Sequence, residues 1–314
     1  MTAAATLTDV SMRYREHAAL DGVTASFATD GITGLLGRNG AGKTTLMQLL
    51  TGHRVPTSGS VRVLGADPFE NDAVLRQVCF VKESQRYPDQ FRVRDALAAA
   101  ASVFPAWDED LARSLVADFD LPARRSVRKL SRGMVSAVGI TIGLASRAPL
   151  TLFDEPYLGL DAVARQLFYD RLIADYAENP RTIVLSTHLI EEISGLLEHV
   201  LLIDGGRVVL DDDADSLRAS ALTVTGRTDA VATLASEHEV LTTESLGGSS
   251  RAIVRLRRPV DREDLAAAGL TAEPTPLQQL VVALSSRSAP ASRRAEAPAD
   301  RPSDDDHAFQ EATR

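Results

Sequence analysis

Hydrophobic and polar positions alternate with period two over residues 7–14 and again over residues 23–27, which is the spacing of half-buried strands. A short apolar run at 32–36 predicts a buried strand, and residues 45–50 predict the opening turns of a helix. Residues 60–64 predict another short strand, and residues 71–82 a helix followed by a strand around Cys79. From 93 to 143 the period lengthens to that of helices, with Leu111, Leu115, Val116 and Phe119 on one face. Apolar β-type runs at 150–153 and 183–186 are separated by a helix around 163–176. Residues 200–203 and 207–210 flank Asp204-Gly205-Gly206, a hairpin signal. Strand–helix alternation of this kind predicts an α/β fold with a mostly parallel sheet covered by helices.

The pattern changes after about residue 215. Residues 221–225 and 252–256 are β-like and sit among two helical stretches, so 219–286 predict a small α+β appendix. Residues 287–314 are rich in Ala, Pro, Ser, Arg and Asp, with Phe309 the only aromatic. They hold too little apolar surface to fold, and disorder is expected there.

Composition narrows the class. At 314 residues the chain is long enough for one large domain or a large and a small one. A net charge of −9 argues against a nucleic-acid surface, which would carry a basic stripe. The single cysteine, Cys79, lies in an apolar run and reads as an inert core thiol in a reducing compartment. The N-terminus carries no basic segment with an apolar stretch, so no secretory signal is expected. No run approaches the ~18 apolar residues of a membrane span. The expectation is a cytoplasmic protein whose membrane role, if any, comes through a partner.

The chemistry enters with Gly37-Arg38-Asn39-Gly40-Ala41-Gly42-Lys43-Thr44, set between the 32–36 strand and the 45–50 helix. That context is what makes a phosphate-binding loop of a glycine-rich turn. The glycines let backbone N–H groups turn toward phosphate oxygens, and the helix start adds a favourable dipole. Lys43 would reach the β- and γ-phosphates of a nucleoside triphosphate, and the Thr44 hydroxyl would ligate Mg²⁺.

A second apolar strand ends in Asp154-Glu155-Pro156. Consecutive side chains at a strand end diverge, so Asp154 can hold Mg²⁺, directly or through water, while Glu155 acts as general base toward the attacking water. Two acids capping a helix would look the same in isolation. Leu130-Ser131-Arg132-Gly133-Met134 opens a helical stretch, where a serine and a glycine offer a second anion site or a simple N-cap. His188 follows Ser186-Thr187 at another strand end, placed to hydrogen-bond a γ-phosphate oxygen, to cap a helix or to stand exposed.

In this order the motifs resemble those of the ATP-binding cassette (ABC) ATPases, the nucleotide-hydrolysing subunits of ABC transporters, over roughly residues 5–218. Residues 37–45 (ending in Thr45) match Walker A, 130–134 the signature loop, 152–155 Walker B, Gly159-Leu160-Asp161 the D-loop, and His188 the switch histidine. The resemblance implies an α/β P-loop NTPase core at 1–218, with an antiparallel β subdomain and a helical subdomain at about 84–145, before the accessory domain at 219–286. It implies ATP and Mg²⁺ as ligands and catalysis by Glu155, His188 and Lys43. Tyr14 falls where an aromatic stacks on adenine, a contact of about 1–3 kcal/mol by analogy with base stacking. Head-to-tail dimers of the family would bring Ser131 and Gly133 to the partner's nucleotide and link the two sites through Asp161. A homodimer or heterodimer, a transmembrane permease partner, and a place on the inner face of the cell membrane are implied as well.

Two positions depart from the family's usual pattern. The signature, usually Leu-Ser-Gly-Gly-Gln, carries Arg132 and Met134 in place of a glycine and the glutamine. The glutamine expected after the strand near Val81 aligns with Glu83, with Gln85 as second choice, and Glu83 could still ligate Mg²⁺. Such variants resemble a bacterial exporter-type subgroup. The rival is a soluble ABC-type ATPase with a non-transport, regulatory role. Residues 50–150 lack the sustained heptads of the DNA-repair branch, and no second phosphate loop follows to suggest the ribosome-acting branch. No Asn-Lys-x-Asp segment supports a G-protein.

Overall fold

The computed structural model describes residues 3–15, 17–83 and 85–288. The disorder expected from Arg287 onward falls outside them, except that the backbone of residues 287–288 closes the last helix.

Two long antiparallel strands, β1 (Ala3–Tyr14) and β2 (His17–Ala28), open the chain. The alternation read from the sequence is visible as burial: Leu7, Val10 and Met12 face inward, as do Leu20, Val23, Ala25 and Phe27. Then come β3 (Ile32–Leu36), α1 (Lys43–Leu50), β4 (Ser58–Val63), α2 (Asp72–Leu75) and β5 (Val78–Val81). β4 adds to β1, giving a three-stranded sheet in the order β2-β1-β4.

The long helical segment is divided into α3 (Val93–Val103), α4 (Glu109–Asp118) and α5 (Arg132–Ala145). The breaks fall at caps, because the Asp108 carboxylate accepts from the Leu111 N–H and the Ser131 hydroxyl accepts from the Met134 N–H. Each satisfies a donor that a helix start leaves open.

The remaining core elements are β6 (Leu150–Asp154), α6 (Ala162–Glu178), β7 (Thr182–Ser186), α7 (Ile190–Ile193), β8 (His199–Asp204) and β9 (Arg207–Asp213). They complete a six-stranded sheet in the order β5-β6-β7-β3-β8-β9, parallel except for β9 at the edge. Gly205 and Gly206 form the two-residue β8–β9 turn, with φ of 56° and 79°. Left-handed φ at both positions is the reason for glycine there.

One apolar core lies between this sheet, α1 and the β1–β2–β4 sheet; another lies against α5 and α6 on the opposite face. Phe153 and Phe168, both fully buried, meet edge to face there at 5.5 Å between ring centres. Such a pair adds about 0.5–1.5 kcal/mol to the burial of its surface. Coverage on both faces explains why β3, β6 and β7 are buried at every residue.

The C-terminal part comprises α8 (Ala214–Ser220), β10 (Ala221–Arg227), α9 (Thr228–Glu237), β11 (Glu239–Leu246), β12 (Ser249–Arg255), α10 (Arg262–Ala267), β13 (Thr271–Pro274) and α11 (Leu277–Ser288). From β10 to β13 the order is β-α-β-β-α-β, forming an antiparallel sheet β11-β12-β10-β13 with its own apolar core. The sequence pattern shows β10 and β12 but misses β11 and β13. Those two are the sheet edges, and most of their residues are exposed or half-buried. Helix α11 buries Leu277, Leu280, Val281 and Ala283 in the apolar cluster that holds Phe153 and Phe168, together with Leu241 of β11 and Ile253 of β12.

Candidate nucleotide site

Three adjacent parallel strands, β6, β7 and β3, deliver their C-terminal ends to one edge of the sheet. Asp154 and Ser186 are register partners on β6 and β7, and Leu35 pairs with Ser186 across β3 and β7. The loops that follow carry the glycine loop, the acidic pair and His188, so residues more than a hundred positions apart are neighbours by topology. Ligands of open parallel sheets sit at this end of the strands.

The β3–α1 loop turns on glycines. Gly37, Gly40 and Gly42 have φ of 147°, 79° and 112°. A Cβ at Gly37 would lie 2.2 Å from the Ile203 carbonyl oxygen, and one at Gly42 2.6 Å from that of Ala19, whereas Gly40 faces open space. The outer two glycines permit close packing and the middle one only the turn. Helix α1 starts at Lys43 without a side-chain cap or an acid in its first turn, so its first amides and its positive dipole end are left for an anion.

A cavity of about 550 Å³ opens over this helix start. Asn39, Gly40, Ala41, Gly42, Lys43, Thr44 and Thr45 line one side. Tyr14, Glu83, Asp154, Glu155 and His188 close around it. His17 and Leu158 also line it, although no pattern in the sequence pointed to them.

Thr44 Oγ1 donates to Asp154 Oδ2 at 2.6 Å. Lys43 Nζ donates to the Gly37 carbonyl at 2.8 Å and to the Arg38 carbonyl at 3.3 Å, and lies 3.9 Å from Glu155 Oε1. Burial holds the Lys43 ammonium below its ordinary pKa, opposed by the charges of Glu155 and Asp154. Asp154 and Glu155 are themselves buried. Glu155 adopts a left-handed backbone, φ 50°. For a residue with a side chain that costs of order 1–3 kcal/mol and is sustained only by the surroundings.

Glu155 Oε2 is 2.7 Å from His188 Nδ1, and Tyr157 reaches both residues. Tyr157 was not anticipated. Its only sequence signal is its place two residues after Glu155, which does not tell a buried phenol from a loop aromatic.

Other expected site residues stand elsewhere. Gly37 and Arg38, at the start of the loop, line instead a second cavity together with His188 and residues of α11. Ser131, Gly133 and Asp161 do not line the 550 Å³ cavity. Ser131 caps α5, and Asp161 caps α6 by accepting from the Ala164 N–H at 2.8 Å. Tyr14 has the Arg54 guanidinium over its ring at 5.6 Å. Glu83 is hydrogen-bonded to Arg132 Nη2 at 3.0 Å. That bond engages only one oxygen of the carboxylate, Oε1.

Among the described residues no three His, Cys, Asp or Glu side chains gather into a metal cage. The donors present, a hydroxyl touching a carboxylate at the wall of this cavity, fit an ion that takes one or two protein oxygens and shares the rest with phosphates and water. Mg²⁺ is such an ion.

The model of the ABC transporter family matches residues 20–158. NatA, an ABC transporter ATP-binding protein of Bacillus subtilis, is 30% identical over 230 residues, covering 68% of this chain and 92% of NatA. The chain belongs to the ABC transporter ATP-binding family. The Nod factor export ATP-binding protein I of Neorhizobium galegae is 31% identical over 69% of this chain, which spans 64% of that relative's length. The ABC transporter ATP-binding protein YtrB of Bacillus subtilis is likewise spanned over 64% of its length, at 26% identity. Among solved structures, an ATP-binding subunit of an ABC transporter superposes with a TM-score of 0.62 at 26% identity, over 69% of this chain and 92% of that one. A dimeric ATP-binding cassette in a post-hydrolysis state, bound to ADP and Pi, shares the fold with a TM-score of 0.59 at 20% identity, over 67% and 98%.

The fold class expected from the resemblance is therefore the observed one: an ABC-type α/β core with a mostly parallel sheet.

Proposed function

We propose that this chain hydrolyses ATP as the cytoplasmic-side subunit of an ABC transporter and energises a separate membrane permease, in the direction of export. The observation that carries the reading is the convergence of Thr44, Asp154, Lys43, Glu155 and His188 on one cavity over an uncapped helix start. Family membership supports it, as does the export function in the name of the Neorhizobium relative. Among the described residues no helix is long and apolar enough to cross a membrane, which fits a separate permease.

Each side chain has a part in this reading. The Asn39–Thr45 amides and Lys43 would hold the triphosphate, with Lys43 exchanging its bonds to the Gly37 and Arg38 carbonyls for phosphate oxygens. Thr44 and Asp154 would hold Mg²⁺, which when bound neutralises charge on the β- and γ-phosphates. Glu155 Oε1 makes no hydrogen bond to the described residues and would accept the proton of the attacking water. His188 would contact the γ-phosphate, and Tyr14 would stack on the base. Ser131 and Gly133 would complete the site of a second subunit, with Asp161 at the junction. Closure on ATP and release after loss of the γ-phosphate contacts would then drive the permease through differential binding of the two states.

Purified protein tests this directly. Lys43→Ala should abolish ATP binding, and Glu155→Gln should bind ATP, lose most turnover and run as a dimer on gel filtration with ATP. Unchanged affinity in the first variant or full hydrolysis in the second would overturn the assignment of the site. A pull-down from detergent-solubilised membranes should recover a multi-spanning partner; recovery with ribosomes or DNA instead would remove the transport role.

A further inference from the structure

The buried phenol of Tyr157 hydrogen-bonds to both Glu155 and His188, and its bonds determine where the protons lie. The side chain is 3% exposed. Its oxygen accepts from Thr187 Oγ1 at 2.9 Å and from the His188 backbone N–H at 3.0 Å. Those two bonds occupy both lone pairs of a phenol oxygen. Its single proton must therefore go outward, to Glu155 Oε2 or to His188 Nδ1, which is 2.9 Å away.

The third side of the triangle decides between them. His188 Nδ1 and Glu155 Oε2 are 2.7 Å apart, and two acceptors at that separation need a proton between them. A carboxylate that serves as the base has none to give, so on that reading the proton is the imidazole's. Nδ1 is then a donor, cannot accept from the phenol, and the phenolic proton goes to the carboxylate. Oε2 of Glu155 thus receives two hydrogen bonds, from Tyr157 and from His188. Oε1 receives none and lies on the Lys43 side at 3.9 Å.

We infer that Tyr157 is a positioning residue of the hydrolytic site: it ties down one oxygen of Glu155, leaves the other buried and without a hydrogen bond beside Lys43, and holds His188 with its proton on Nδ1. The inference rests on the reading of Glu155 as the base. It extends that reading to a residue outside the cavity lining, one that acts only through its two neighbours. The phenol also braces the left-handed turn at Glu155, since Tyr157 and Glu155 are two residues apart and bonded to each other.

Tyr157→Phe removes the hydroxyl and keeps the ring, which packs edge to face on His188 at 5.5 Å between ring centres. The variant should lower kcat for ATP by about tenfold or more while KM changes less than about twofold, because the ground-state contacts to phosphate are untouched. Equal kcat in Tyr157→Phe and wild type overturns the inference, and so does a rise in KM with kcat unchanged. The second readout needs neither nucleotide nor a folded variant. Long-range ¹H–¹⁵N spectra of the wild-type protein should show His188, when neutral, protonated at Nδ1. A proton on Nε2 instead would mean that Nδ1 accepts from Tyr157, and the arrangement falls. Because the spectrum does not depend on hydrolysis, failure of this inference separates from failure of the ATPase reading, which Lys43→Ala and Glu155→Gln test.

Discussion

Gly133→Ala is the substitution whose outcome can be worked most closely from the structure. Gly133 stands in the first turn of α5, and a Cβ there would lie 2.3 Å from the carbonyl oxygen of Gly159. Real Cβ contacts stop near 3.0 Å, so one of two backbones must yield by at least about 0.7 Å, with no flexible side chain to absorb it. Two energies oppose each other. Alanine gains roughly 0.5–1 kcal/mol over glycine in a helix. Overpacking costs typically 1–3 kcal/mol. The net loss should be near 1 kcal/mol, a shift of a few degrees in Tm at about 2–4 °C per kcal/mol for a domain of this size. Activity should suffer more. The displaced segments carry Ser131 on one side and Asp161 on the other, and a 1 Å misplacement can cost on the order of 10²-fold in rate. The expected result is a fall in ATPase turnover of roughly ten- to a hundredfold with only a small loss of Tm. Turnover and Tm both equal to wild type would refute the tight approach of the two loops. A lowered Tm with unchanged turnover would refute its link to catalysis.

Two further perturbations probe the electrostatics. Asp175 and Arg181 form a buried ion pair at 2.7 Å, with Arg147 at 3.3 Å from the same carboxylate. Asp175→Asn leaves Arg181 an uncompensated buried charge and should cost about 3–5 kcal/mol by urea denaturation, while replacing both partners with apolar residues should cost far less. A loss below about 1 kcal/mol in the single variant would contradict this. His199 is held above its ordinary pKa by its hydrogen bond to Asp211, with the charges of Asp211, Asp212 and Asp213 reinforcing it and burial opposing it. A raised folded-state value means that the pair stabilises fully below about pH 6.5 and loses its contribution as pH rises through the folded value. Tm should therefore fall between pH 6.5 and alkaline pH by more in wild type than in Asp211→Asn, and only slightly, since both groups are about a third exposed. Identical pH profiles would show the pair to be without effect.

The parts of the site legible in the sequence are those whose chemistry is local. A strand, a glycine loop and a helix start are consecutive, so Gly37 to Thr45 announce a phosphate cradle before any tertiary contact is known. Asp154 and Glu155 are readable for the same reason: they end an apolar strand. What the sequence does not carry is which loops meet. Tyr157 acquires its role only because β6 and β7 are neighbours, which brings Thr187 and His188 to it from thirty residues away. The edge strands β11 and β13 escape notice because a strand with one neighbour and a wet face has little apolar alternation to show.

The departures from the usual ABC pattern illustrate the same limit in a sharper form. Read singly, Arg132 replaces a glycine that the signature loop normally has, and Glu83 replaces a glutamine, and each looks like an erosion of function. In the folded chain the two charges, 49 residues apart, face each other at 3.0 Å and join the start of α5 to the loop after β5. They are two halves of one contact. Both side chains are largely exposed, so the pair contributes no more than about 1 kcal/mol and cannot lock the helical segment in place. A term of that size can still bias an equilibrium between two arrangements several-fold. Glu83 also lines the 550 Å³ cavity, so the contact joins the edge of that cavity to the start of α5. The substituted residues thus supply a charged contact between the cavity edge and the start of α5 that an uncharged glycine and glutamine could not make.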